Sequence, residues 1–202
     1  MLSDPSRSGP RRVDRRLLAA AGTWWLGMYS LLFVWHSRFS LHAVSAACGG
    51  PAPDTRFAPS PRQTEQFLIG CGAQGLSAYR DLQIADLFYP ASTALVLVLT
   101  LRYLLSRLTP RAARLTLLPV LAAAGDYVEN LCAWVLIATA PSRPSWATQV
   151  LQIASAVKFV ASWLAWLTVI ALLALWLVRR LRRATSMRPR SEPVGDPFHA
   201  AF

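Results

Sequence analysis

The sequence predicts an all-α membrane protein, a four-transmembrane-helix up-down bundle with a structured first outer loop. Three observations carry this reading. Four apolar segments approach or exceed about 20 residues, enough to cross a hydrocarbon core about 30 Å thick. Only 15% of the 202 residues are charged, against about 25% in a soluble domain. The arginines, finally, cluster beside the apolar segments instead of standing on a free basic helix.

The elements follow in order. Residues 1–16 form a basic N-terminal segment, and the transmembrane domain covers 17–178. Span one is Leu17–His36 (LLAAAGTWWLGMYSLLFVWH), and span two covers about Ile84–Leu105. Span three covers about Leu115–Ala140, and span four is Val150–Val178. No segment alternates over about ten residues as a β-barrel strand does. RRVDRR followed by an apolar run and AVSAAC is similar to a secretory signal, but the run is too long and ends well before the small residues. Residues 179–202 read as a basic, Pro-containing, disordered tail.

Arginine counts give an orientation. Fifteen arginines lie before span one, between spans two and three, and after span four; five lie on the other side. The positive-inside rule then places both termini in the cytoplasm of a multi-pass protein, in the plasma membrane or a bacterial inner membrane. Net charge is +11, yet this distribution excludes nucleic acid as the expected partner. Membrane lipids are the expected contacts, and homo-oligomerisation is left open.

Residues 37–83 form the one long outer loop. GGPAPDTRFAPSPR should be irregular, and TEQFLIGCGAQGLSAYRDLQ reads as a surface helix capped by Thr64. Cys48 and Cys71 flank this region. They are either a disulfide closing a loop of about 23 residues, for about 3 kcal/mol, or two free thiols. Cys132 reads as packing. His36, His42 and Cys48 match no metal-site spacing, so no metal is expected, and no cofactor motif is present.

The functional candidates are the charges inside the spans. Asp126, Glu129 and Asn130 interrupt an apolar run and share one helical face. Asp86 lies in span two, and Lys158, the single lysine among twenty arginines, lies in span four. A charge near the bilayer centre costs at least about 2.5–3.5 kcal/mol, so these groups should face the bundle interior and find partners. Counting 1.5 Å per residue, Asp126 lies about 18 Å and Glu129 about 22 Å above Arg114, while Lys158 lies about 31 Å above Arg179. Those depths make Asp86 the first partner expected for Lys158 and Glu129 the second. Three acids against one lysine require a carboxyl that is protonated or reached by water. Such a cluster serves as an interhelical hydrogen-bond network, with Tyr127, Tyr89 and Ser92 as further partners, as a ligand or lipid pocket, or as a proton-moving site.

GAQGLSAYRDLQIADLFYP, then GDYVENL, then AVKF resembles a group of uncharacterised four-helix membrane proteins with G-x-x-G…Y, D-x-x-[FY]-P, D-x-x-E-N and a later lysine. The matching positions are Gly72, Gly75, Tyr79, Asp86, Pro90, Asp126, Glu129, Asn130 and Lys158; Leu76 departs from the group's usual arginine. The group has no established activity, so the resemblance implies a fold and no catalytic residues. The claudin-like W…GLW…C…C pattern is absent. Similarity to the emopamil-binding and sigma-2 receptor group is one of architecture alone.

The expectation is a membrane protein that binds a lipid or small hydrophobic molecule between its helices without catalysis. An isomerase-like enzyme using a carboxylate for proton transfer, or a small proton-coupled transport subunit, is the alternative.

Overall fold

The computed structural model describes residues 15–108 and 110–186. Expectations for residues 1–14 and for the tail from 187 onward lie outside the described residues. The chain is an all-α four-helix membrane bundle, with four stretches among the described residues long and apolar enough to cross a membrane: Arg15–Val34, Gly72–Leu108, Ala112–Ala138 and Ser145–Arg183.

The first stretch is α1 (Arg15–Tyr29), continued by a π-helical turn, Ser30–Val34. Its faces are apolar nearly all round, as lipid exposure requires, and Trp25 Nε1–H donates to Thr93 Oγ1 at 3.1 Å to fasten it to the second crossing. The long loop that follows folds into α2 (Leu41–Cys48), a 3-10 turn (Pro53–Thr55) and α3 (Pro61–Gly70).

α3 starts earlier than Thr64. Ser60 caps it, with Pro61 in the first turn and Gln63 closing a reciprocal capping box, the arrangement that Ser-Pro-x-Gln favours. Thr64 is buried inside the helix instead. Gly72, at φ +60, takes the left-handed conformation that ends α3 and starts α4 (Gly72–Asp86) in a new direction.

The second crossing is interrupted between two helices. α4 ends at Asp86, and α5 (Tyr89–Leu108) begins after two intervening residues. Pro90 explains the break, because its ring lacks an N–H and clashes with the carbonyl four residues back, that of Asp86. A 3-10 segment (Pro110–Thr116) turns the chain into α6 (Leu117–Ala138), and α7 (Ser145–Ser186) returns it.

α7 contains neither Pro nor Gly over 42 residues, so it runs about 63 Å and projects beyond a core about 30 Å thick. It is helical through Ser186, so the first part of the predicted disordered tail is ordered helix. Arg, Leu and Ala are strong helix formers, and nothing in RRLRRATS interrupts them.

Two apolar clusters hold the bundle. One at the loop end joins Leu32, Val44, Leu68, Tyr79, Leu136 and Leu151. The other, toward the arginine end, joins Leu97, Leu101 and Leu105 of α5 to Ala165 and Val169 of α7. The candidate site lies between them.

Candidate functional site

The site is built on the approach of α6 to α7. A Cβ on Gly125 would lie 3.0 Å from the Lys158 backbone nitrogen and 3.1 Å from the Ala154 oxygen. Only a glycine lets the two backbones come this close without displacing either. The next turn of α6 then delivers Asp126 and Glu129 to Lys158. Lys158 Nζ lies 3.2 Å from Asp126 Oδ1 and forms an ion pair with Glu129 Oε2. The Glu129 side chain is fully buried, and those of Lys158 and Asp126 retain 13% exposure each. Burying such charges is tolerable only where they are paired.

Asn130, one turn beyond Asp126, faces α4 instead. Its Nδ2–H donates to Asp86 Oδ2 at 2.8 Å. Asp86 therefore pairs with Asn130, not with Lys158, and Lys158 takes Asp126 and Glu129. The depth estimate counted rise along each helix separately and took no account of the contact at Gly125, which brings α6 against α7 and sets Asp126 and Glu129 within reach of Lys158. Tyr127 and Ser92 do not join the network: Tyr127 O–H donates to the Leu87 carbonyl at 2.9 Å, and Ser92 O–H to the Tyr89 carbonyl at 2.8 Å.

A residue read only as a loop charge completes the cluster. Lys158 Nζ–H also donates to the main-chain oxygen of Asp54 at 2.9 Å. The Asp54 carboxylate accepts from Gln83 Nε2 at 3.0 Å, and Ser155 O–H donates to the Arg56 carbonyl at 2.9 Å. Three side chains from α4 and α7 thus pin the Pro53–Arg56 turn over the bundle as a roof. Burial pushes the Asp54 carboxyl up from 3.8 to about 6, opposed by the Lys158 ammonium and reinforced by Asp126. The only sequence signal was a lone Asp between Pro and Thr in a Pro-rich loop, which carries no periodicity.

Beneath the roof is a cavity of about 540 Å³, within the range of small-molecule sites. Its upper wall carries Asp54, Asp86, Asp126 and Lys158. Its lower wall is apolar, including Leu97, Pro119, Ala122 and Trp166. From Asp126 to Pro119, and from Lys158 to Trp166, it descends about 10–12 Å along the helices. Trp166 packs on Trp25, with ring centroids 5.7 Å apart, and Trp163 is mostly exposed beside it.

The cluster is rich in acceptors. Asp54 Oδ1, Glu129 Oε1 and Asn130 Oδ1 are buried without a hydrogen-bond partner among the described residues. Among the described residues no cation lies within ion-pair distance of Asp86 or of the Asp54 carboxylate. Asp54, Asp86 and Asp126 line the cavity whereas Glu129 and Asn130 do not, so the acceptors open to a donor-bearing polar group are those of the three aspartates.

Cys48 and Cys71 are joined in a disulfide that ties α2 to the junction of α3 and α4; Cys132 is a buried free thiol. His36 and His42 stack with centroids 4.4 Å apart, and Cys48 is taken by the disulfide. Among the described residues, no group of three or more His, Cys, Asp or Glu is placed to hold a metal ion. No protein family, curated protein or solved structure matches the chain.

Proposed function

We propose that the protein binds a small amphipathic, largely hydrophobic molecule inside the membrane, without acting on it. The cavity supports this reading, because it is carboxylate-rich at one end and apolar along the rest. A ligand's donor group would meet Asp86 and Asp126 below the Asp54 roof. Its apolar body would lie against Leu97, Ala122 and Trp166. With fifteen arginines on the other side, the roof faces outward, both termini are cytoplasmic, and ligand enters from the outer half of the bilayer.

The decisive experiment is mass-spectrometric identification of molecules co-purifying with the detergent-solubilised protein. The control is the Asp126→Asn/Glu129→Gln variant, with its folding checked independently. A defined species retained by the native chain and lost from the variant is the expected result. Equal, unselective lipid in both would make the carboxylates an interhelical network and end the binding proposal.

Asp86 also supports a second reading. It lines the cavity with Asn130 as its hydrogen-bond donor and, among the described residues, no cation within ion-pair distance, a placement open to proton transfer. That reading requires turnover of the bound species, lost in Asp86→Asn while binding persists.

A further inference from the structure

At the end of the bundle opposite Asp54, a second cleft of about 870 Å³ lies among α1, α5 and α7. Arg15 reaches it from the start of α1, Arg107 from the last turn of α5, and Arg179 and Arg180 from α7. No Asp or Glu is among the described residues that line it. The topology of the chain requires arginines at this end, but it does not require residues so distant in sequence to converge on one cleft.

Two of these cations are held in advance. The Arg107 guanidinium carbon lies 4.4 Å from the centre of the Tyr103 ring, and that of Arg180 lies 5.3 Å from the Trp176 ring. A guanidinium resting on an aromatic face has its orientation restricted, while its in-plane N–H groups stay free to donate to an anion. Tyr103, Trp176 and Leu18 add an amphipathic and apolar wall to the same cleft.

The depth fits a headgroup. Arg179 lies about 31 Å along α7 from Lys158, about one hydrocarbon thickness. We infer that this cleft is a binding site for the phosphate of an anionic phospholipid, with arginines from three helices around the phosphate and the chains leaving along Leu18 and Trp176. It is separate from the cavity under Asp54 and does not depend on what fills that cavity.

The test is native mass spectrometry of the detergent-solubilised full chain, titrated with phosphatidylglycerol, phosphatidylcholine and inorganic phosphate. Phosphatidylglycerol should bind saturably and more tightly than phosphatidylcholine. Arg107→Gln/Arg179→Gln/Arg180→Gln should weaken it by about fivefold per arginine removed. Arg107→Lys/Arg180→Lys keeps the charge and the topology signal, and should still weaken phosphatidylglycerol binding because the planar fork is gone. Arg62→Gln removes an exposed arginine that lines neither cavity and should leave phosphatidylglycerol binding unchanged. Equal affinity for the two lipids, or undiminished binding in both arginine variants, would overturn the site. Inorganic phosphate binding as tightly as phosphatidylglycerol would overturn the lipid assignment in favour of a free-phosphate site.

Discussion

Gly125 touches the backbone of Lys158: a Cβ on this glycine would stand 3.0 Å from the lysine's main-chain nitrogen. The contact sets the separation of α6 and α7, and through it the reach of Asp126 and Glu129 to the ammonium. Gly125→Ala should push the helices apart by a few tenths of an ångström and strain the ion pairs. Although alanine favours helix, the substitution should destabilise by about 1–3 kcal/mol, as overpacking does. Thermal unfolding in detergent measures this. An unchanged or raised midpoint would mean that the two helices part freely.

The Lys158–Glu129 pair should behave as a buried unit. Lys158→Met leaves the fully buried Glu129 without its cation, a change that costs about 3–5 kcal/mol. Adding Glu129→Gln removes the orphaned charge and should recover part of that loss. The double variant is therefore expected to be less damaged than the sum of the two single variants. Strict additivity in a double-mutant cycle would show that the two side chains do not interact energetically.

Asp54 makes a pH prediction with a definite sign. Burial raises its carboxyl from 3.8 to about 6, so between those values the folded chain holds a proton that the unfolded chain has released. Stability contributed by this group is therefore highest below pH 3.8, falls as pH rises toward 6, and is level above it. The span of the effect is up to about 3 kcal/mol. Asp54→Asn should flatten this part of the profile. The Lys158 contact should survive the change, since it uses the main-chain oxygen of Asp54. Unfolding followed from pH 4 to pH 8 compares the two chains, and identical slopes would remove Asp54 as their source.

The sequence carried some of this site and hid the rest for identifiable reasons. Asp126, Glu129 and Asn130 were legible as one face because helical periodicity places residues three and four apart together. Lys158 was legible as a partner because an isolated ammonium in an apolar span needs one. Which carboxylate it takes was not, since that depends on the close approach at Gly125. Asp54 was hidden because its position comes from Gln83, Ser155 and Lys158, side chains 29 to 104 residues away along the chain. The helical start of the basic tail was hidden by composition, because charge and proline downstream outweighed the helix propensity of its first residues.

A pocket between the helices was expected from the buried charges, but its size and its apolar walls were not legible, since an internal void depends on how neighbouring side chains fail to meet. That makes filling it the sharpest remaining test. Ala122 is buried at 7% exposure and lines the cavity, so Ala122→Phe places a ring into space that already exists. Little stability should be lost, while the co-purifying ligand should disappear. Leu101 is fully buried in the packed cluster toward the arginine end, and Leu101→Phe there has no space to enter. It should cost about 1–3 kcal/mol through overpacking and leave the ligand bound. Unfolding midpoints and ligand mass spectra for this pair separate a real void from a loosely packed core. If Ala122→Phe is as damaging as Leu101→Phe, the space is not available to a ligand. If the ligand survives Ala122→Phe, it binds somewhere other than under Asp54.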